Sequence, residues 1–128
     1  MKNRDVQKTQ RLFLVEDSPV IRRQTAELLS DVDNVSIVGE ADNVETAIRD
    51  ILKSKPDVIL LDVQIPGGSG IDILKEIKVK LPATKFIVIT NHALSHYREK
   101  CMALGADYFF DKSFEFNQIP SALAKLSL

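Results

Sequence analysis

The sequence holds a single cysteine, Cys101, so no internal disulfide can staple the chain. Cys101 falls inside an apolar helical pattern, where a reduced, buried, small hydrophobe is expected. Net charge is also nearly absent, with 17 Lys+Arg against 18 Asp+Glu. No overall field draws such a chain to nucleic acid or to an anionic membrane. No stretch approaches the ~20 apolar residues of a membrane helix. Met1 to Arg11 is polar and mildly basic and lacks the apolar centre of a secretory signal. A cytoplasmic location is the expectation. Zinc is disfavoured by the same scarcity: His92 and His96 have no Cys or His grouping and read as solvated or half-buried helix residues. Repeats of solenoid period and low-complexity segments are lacking too.

What is present suits one globular domain. The 128 residues are 45% hydrophobic and 27% charged, enough to bury a core. Residues 1–10 read as a polar tail, a basic interaction arm being the lesser reading, and 11–128 as the domain. Leu12–Val15, Val58–Leu61 and Phe86–Ile89 are uniformly apolar, the pattern of strands buried on both faces. The mixed runs 35–39 and 107–110 suit sheet edges. Helical patterns separate the runs. Ser18 or Asp17 caps the first helix, with Pro19 at its first position. Its inward stripe is Ile21, Thr25, Leu28 and Leu29, with Arg22, Arg23 and Glu27 outside. Asp42 to Glu45 carries a capping-box signature before Val44, Ala47, Ile48, Ile51 and Leu52, and Pro56 stops that helix. Gly67-Gly68-Ser69-Gly70 is a tight turn with Ser69 as cap. Ile71, Leu74, Ile77 and Leu81 share the next helical face. Leu94 to Leu104 is a helix closed by a left-handed Gly105. Pro120 starts or kinks the last helix, whose apolar positions are Ala122, Leu123 and Leu126. Strand then helix, five times over, predicts an α/β protein. The expected fold is a single doubly wound (βα)5 flavodoxin-like domain, with a parallel five-stranded sheet of order 2-1-3-4-5.

In such a sheet the residues after each strand share one rim. Here they are Glu16, Asp17, Asp62, Thr90 and Lys112. Each alone has a bland reading: helix cap, turn residue, strand-end hydroxyl, surface cation. Together they need an electrostatic account. Two like charges ~4 Å apart repel by roughly 4 kcal/mol at an effective dielectric of ~20. Lys112 offers one balancing charge, and a hard divalent ion such as Mg²⁺, which prefers an all-oxygen set, is the natural second. A carboxylate held beside such an ion, an ammonium and a hydroxyl is suited to attack phosphorus. The chemistry indicated is that of an aspartyl phosphate.

These residues, in this order and spacing, resemble the receiver domain of two-component response regulators from Arg11 to Leu128. Glu16-Asp17 resembles the family's Mg²⁺-holding acidic pair. Asp62, in Leu-Leu-Asp-x-x-x-Pro with Gly70 eight residues on, resembles the phosphoacceptor. The resemblance implies a metal contact from the Gln64 backbone carbonyl, phosphoryl binding by Thr90 and Lys112, and an aromatic switch at Phe109. It implies phosphoryl transfer from a sensor histidine kinase or His-phosphotransfer protein, with Mg²⁺ as cofactor. Signalling would follow through the face of the fourth helix, fifth strand and fifth helix. A receiver is not an enzyme beyond Mg²⁺-dependent self-phosphorylation and slow self-dephosphorylation. Its partners would be that donor and a downstream protein or an effector domain outside this chain, with no nucleic acid bound by these residues. Gln64, Asn91 and His92 fall where the family tunes phosphoryl lifetime.

The chain departs from the family pattern in three places. Asn91 stands where Ala or Gly is usual and narrows access to Asp62. Ser113 replaces the proline after the lysine, so the usual cis peptide does not carry over. Pro120 shortens the fifth helix. A phosphatase of the haloacid dehalogenase type would need an acid at position 64, which is Gln64. A nucleotide or flavin module is opposed by Glu16-Asp17 after the first strand and by a glycine turn without Gly-Lys-Ser/Thr. The remaining rival is a receiver-fold interaction module that signals without phosphorylation. Either a stand-alone receiver or a piece of a longer regulator fits the length.

Overall fold

A computed structural model describes residues 8–91 and 95–127. Its elements are β1 (Gln10–Val15), α1 (Pro19–Ser30), β2 (Val35–Ala41), α2 (Val44–Ser54), β3 (Val58–Asp62), α3 (Gly70–Lys80), β4 (Lys85–Thr90), α4 (Ser95–Ala103), β5 (Tyr108–Asp111) and α5 (Ile119–Leu126). The strands form one parallel sheet of order β2-β1-β3-β4-β5. Among the described residues no helix is long and apolar enough to cross a membrane.

The alternation of side chains along the strands builds two cores. Phe13, Val15, Ile59, Leu61, Phe86 and Val88 face the side covered by α2, α3 and α4. Leu12, Leu14, Leu60, Ile87 and Ile89 face the other side, against Leu29 of α1 and Ile119, Ala122 and Leu123 of α5. Both faces of the central strands are therefore covered, which is why their sequences are apolar without alternation. Each fully buried Leu, Ile or Phe adds about 1.5–3 kcal/mol relative to exposure. Cys101 is buried within the first of these cores, as expected of a small hydrophobe, although α4 around it carries no apolar stripe, and burial pushes its thiol pKa up.

The element ends depart from the hydropathy pattern where pairing or capping decides. β1 begins two residues before the apolar run, because Gln10 and Arg11 pair with Val35 and Ser36. β2 runs on past Gly39 to Ala41, since pairing with β1 continues to Val15. Gly39 lies opposite Phe13, and a Cβ there would sit 2.5 Å from the Phe13 ring. Ser18 is the α1 cap, accepting from the Ile21 N–H, so the Asp17 option falls away. α2 corrects the capping-box expectation. Asn43, not Asp42, is the cap, and its side chain accepts from the Thr46 N–H. The capping box belongs instead to Ser69 and Asp72 at α3. Arg22 corrects a second expectation, for it is half-buried and not outward. Its guanidinium donates to the Glu16 carbonyl at 2.8 Å. Pro120 opens α5 after a 3₁₀ turn at Phe116–Gln118 and does not kink it. No cis peptide bond occurs among the described residues. Leu94, the expected start of α4, lies outside them.

Candidate functional site

Glu16 follows the last residue of β1, Asp62 ends β3, Thr90 ends β4 and Lys112 follows β5. The parallel sheet brings them to one edge. Register sharpens this: Asp62 pairs with Ile89, beside Thr90, and Thr90 pairs with Asp111, beside Lys112. The Lys112 N–H also donates to the Thr90 carbonyl at 3.0 Å, so β5 delivers the lysine directly over the end of β4.

The side chains converge. Lys112 Nζ lies 2.8 Å from Asp62 Oδ2 and 2.7 Å from Glu16 Oε1. Glu16 and Asp62 are 1% and 4% exposed, so this is a buried triad of two carboxylates on one cation. Asp62 Oδ1 accepts from the Gln64 N–H at 3.0 Å, and Glu16 Oε2 from the Ser18 N–H at 3.1 Å. Glu16 Oε1 touches the ammonium but meets no donor in hydrogen-bond alignment. One buried carboxylate oxygen thus has nearby charge but an unsatisfied lone pair, a costly condition in the interior.

The charges are not balanced, and the pKa directions follow from that. Burial raises the Glu16 pKa, with the Asp62 charge adding to it, and Lys112 and the Ser18 N–H recover only part. Burial also opposes the Lys112 charge, but the hydrogen bond it donates to Asp62 and the attraction of the Asp62 and Glu16 carboxylates outweigh it, so its pKa is raised. The directions are compatible because one ammonium gains from two carboxylates, while each carboxylate shares one ammonium.

Asp17, exposed, completes an acidic cluster: oxygen atoms of Glu16, Asp17 and Asp62 all lie within 4.8 Å of one another. The donors are all oxygen, and an unsatisfied Glu16 oxygen lies among them. That set fits a hard divalent cation. A groove of about 450 Å³ adjoins it, lined by Asp17, Gln64, Pro66, Ser69 and Tyr97 among others. Thr90 is buried, Gln64 and Asn91 are exposed, and His92 and the side chain of His96 lie outside the described residues.

Phe109 is buried in the core on the α4 side. The Arg98 guanidinium of α4 lies 4.9 Å from its ring centroid and 3.7 Å from Glu115. Glu115 in turn accepts from the Asp111 N–H at 2.9 Å. Sequence reading singled out neither Arg98 nor Glu115. α4 is mostly polar before Cys101 and gives no stripe to show which of those residues turns inward.

The model of the family described as the response regulator receiver domain matches residues 12–124. An uncharacterized transcriptional regulatory protein, YvfU, of Bacillus subtilis is 31% identical over 115 residues, covering 90% of this chain and 58% of the relative. The chain thus spans about half the length of the curated relatives it matches. A two-component response regulator of the LuxR family from Aurantimonas superposes with a TM-score of 0.85 at 26% identity, covering 94% of this chain and 86% of the other. The response regulator domain of CheB from Thermotoga maritima gives 0.81 at 26%, covering 94% of each.

Proposed function

This chain belongs to the response regulator receiver domain family, and on that footing we propose that residues 11–128 take a phosphoryl group from a phosphohistidine donor onto Asp62. The observation that carries the reading is the buried Glu16–Lys112–Asp62 triad, with Thr90 at the neighbouring strand end. A carboxylate oxygen of Asp62 attacks phosphorus, the P–N bond to the donor imidazole breaks, and the imidazole nitrogen leaves with the electron pair. Lys112 already faces Asp62 and can bind the transferred oxygens, with the Thr90 hydroxyl as second donor. Glu16, Asp17, Asp62 and the Gln64 carbonyl would hold Mg²⁺, which when bound supplies positive charge against the repulsion of donor and acceptor.

Once Asp62 is phosphorylated, Thr90 turns toward the phosphoryl oxygens and Phe109 repacks into the space it leaves. The α4-β5-α5 face then changes its affinity for a partner. This is a population shift biased by a local charge. Gln64, Asn91 and His92 tune phosphoryl lifetime. The donor is a sensor histidine kinase or His-phosphotransfer protein in the cytoplasm. The receiver output is a downstream protein or an effector segment outside these residues, and the receiver binds no nucleic acid. The reading as a phosphorylation-independent interaction module is the weaker one, because every chemical group the transfer needs is retained.

Intact mass after incubation with Mg²⁺ and a phosphohistidine donor tests the transfer. Wild type should gain one phosphoryl group and Asp62→Asn none. An adduct of equal yield in the variant would remove Asp62 from the role.

The raised Glu16 pKa gives a second expectation. An acid whose pKa is higher folded than unfolded contributes stability that is complete below the unfolded value and lost as pH rises through the folded one. Without divalent ions, the Tm of wild type relative to Glu16→Gln should therefore fall as pH rises from about 4.3 through that window. At pH 7 the variant should melt a few degrees higher. MgCl₂ should raise the wild-type Tm and leave the variant nearly unmoved. A variant less stable at pH 7 with an undiminished Mg²⁺ response would contradict both the pKa direction and the ligand role.

A further inference from the structure

A cavity of about 540 Å³ opens at the opposite pole of the sheet, where β1, β3 and β4 begin. Leu81, Pro82 and Leu126 give it an apolar wall, and Lys8, Lys55, Lys80 and Lys85 line it from four separate segments. Among the described residues, Asp57 is the only acidic one in that lining. Its Oδ2 already accepts from the Arg11 N–H at 2.8 Å. Four ammonium-bearing side chains, of which Lys80 is paired with Glu76, against one carboxylate leave the described lining net positive.

Helix dipoles account for only part of this. Lys80 lies in the last turn of α3 and Lys55 directly follows α2, positions where cations complement helix ends. Lys80 also reaches Glu76 at 2.7 Å, an exposed pair of little worth. Lys8 precedes β1 and Lys85 opens β4, so no helix end asks for either. Lys78 shows the contrast, since its ammonium is taken up by the Thr84 carbonyl at 2.9 Å.

We propose that this cavity binds an organic phosphate of nucleotide size, its apolar or planar body against Leu81, Pro82 and Leu126 and its phosphates among the lysines. The volume falls in the range of small-ligand sites, about 300–1,000 Å³. The site is separate from the acidic edge. Val58 begins β3 at this pole and Asp62 ends it at the other, about 13 Å away at strand rise. The proposal does not depend on phosphoryl transfer to Asp62, and its ligand would be recognised with no metal bound.

The test is fluorescence titration of the full chain with trinitrophenyl-ATP, in EDTA and low salt. Lys55→Asn/Lys85→Gln is the test variant, because Asn tolerates the left-handed backbone that Lys55 adopts at φ 49°. Lys53→Gln/Lys125→Gln is the charge-matched control, from neighbouring helix ends that do not line the cavity. Saturable binding should weaken about tenfold or more in the first variant and hardly change in the second. ATP should displace the probe at lower concentration than inorganic tripolyphosphate, since its body adds apolar contact. Absence of saturable binding, equal weakening in both variants, or equal displacement by the two competitors would overturn the proposal.

Discussion

Lys112→Met should lower the stability of the chain at pH 7 by about 3–5 kcal/mol, the cost of stranding buried charge when its partner is removed. Glu16 and Asp62 are almost wholly buried, and the Lys112 ammonium is the cation within 3 Å of both. Methionine keeps the volume and the apolar stem, so packing loss is small and the change isolates the charge. Tm should fall on the order of 10 °C. The deficit should shrink as pH falls and Glu16, whose pKa burial raises, takes up a proton, because only its charged form is stranded. Transfer to Asp62 should slow as well, on the order of 10²-fold, since a donor to the developing oxygens is gone. Melting curves of wild type and variant at pH 7 and pH 5, with the rate of adduct formation, check all of this. A variant equally stable at pH 7 would mean that the triad is solvated, contrary to the burial found here.

Gly70→Ala should also cost both stability and transfer, although helix propensity alone predicts a gain of up to about 1 kcal/mol. Gly70 is the first residue of α3, and its backbone is not left-handed, unlike Gly67, Gly68 and Gly105. Its requirement is steric. A Cβ there would meet the Asp62 carbonyl oxygen well inside contact distance and Val63 Cα at 2.8 Å. These are backbone atoms and cannot rotate away. The Gly70 N–H also donates to the Val63 carbonyl at 2.7 Å, which ties α3 to the end of β3. Alanine would push the two apart, at about 1–3 kcal/mol for overpacking. The displaced atoms belong to Asp62 and its neighbour. A shift approaching 1 Å at the acceptor costs on the order of 10² in rate, so adduct formation should suffer more than Tm. Gly39→Ala is the control, because the Phe13 ring it would strike is a side chain far from Asp62. It should destabilise and leave the transfer rate of the folded protein near wild type. Equal rates for wild type and Gly70→Ala would show that the end of β3 absorbs the change.

Much of the fold was legible because strands and helices announce themselves through short-range periodicity. Three short runs apolar at every position, bounded by turn and helix-cap residues, read as strands covered on both sides, and mixed runs suit edges. The candidate site was legible for a related reason. In a parallel sheet every strand ends at the same edge, so the polar residue after each apolar run must meet the others. Glu16, Asp62, Thr90 and Lys112 were identifiable from 128 letters although β1 and β5 lie at opposite ends of the chain. Two local signals misled. The Asp42–Glu45 spacing imitated a capping box, yet Asn43 took the cap, because Val44 starts the helix and only Asn43 is placed to meet the Thr46 N–H. Arg22 sat on the polar side of the α1 pattern, but that side meets the end of β1, where the Glu16 carbonyl needs a donor.

The sequence by itself determined the α/β class, the strand order and the polar residues at the carboxyl edge, since each depends on patterning within a few residues or on a topological rule. Tertiary structure decided how those groups share charge: one ammonium for two buried carboxylates, and a raised Glu16 pKa. It also decided which backbone Gly70 must clear, which ring Arg98 covers, and that Lys8, Lys55, Lys80 and Lys85 gather around one cavity. The physical reason is range. Periodicity is written into neighbours along the chain, whereas desolvation, Coulomb interaction and steric clash depend on distances between residues that only packing brings together.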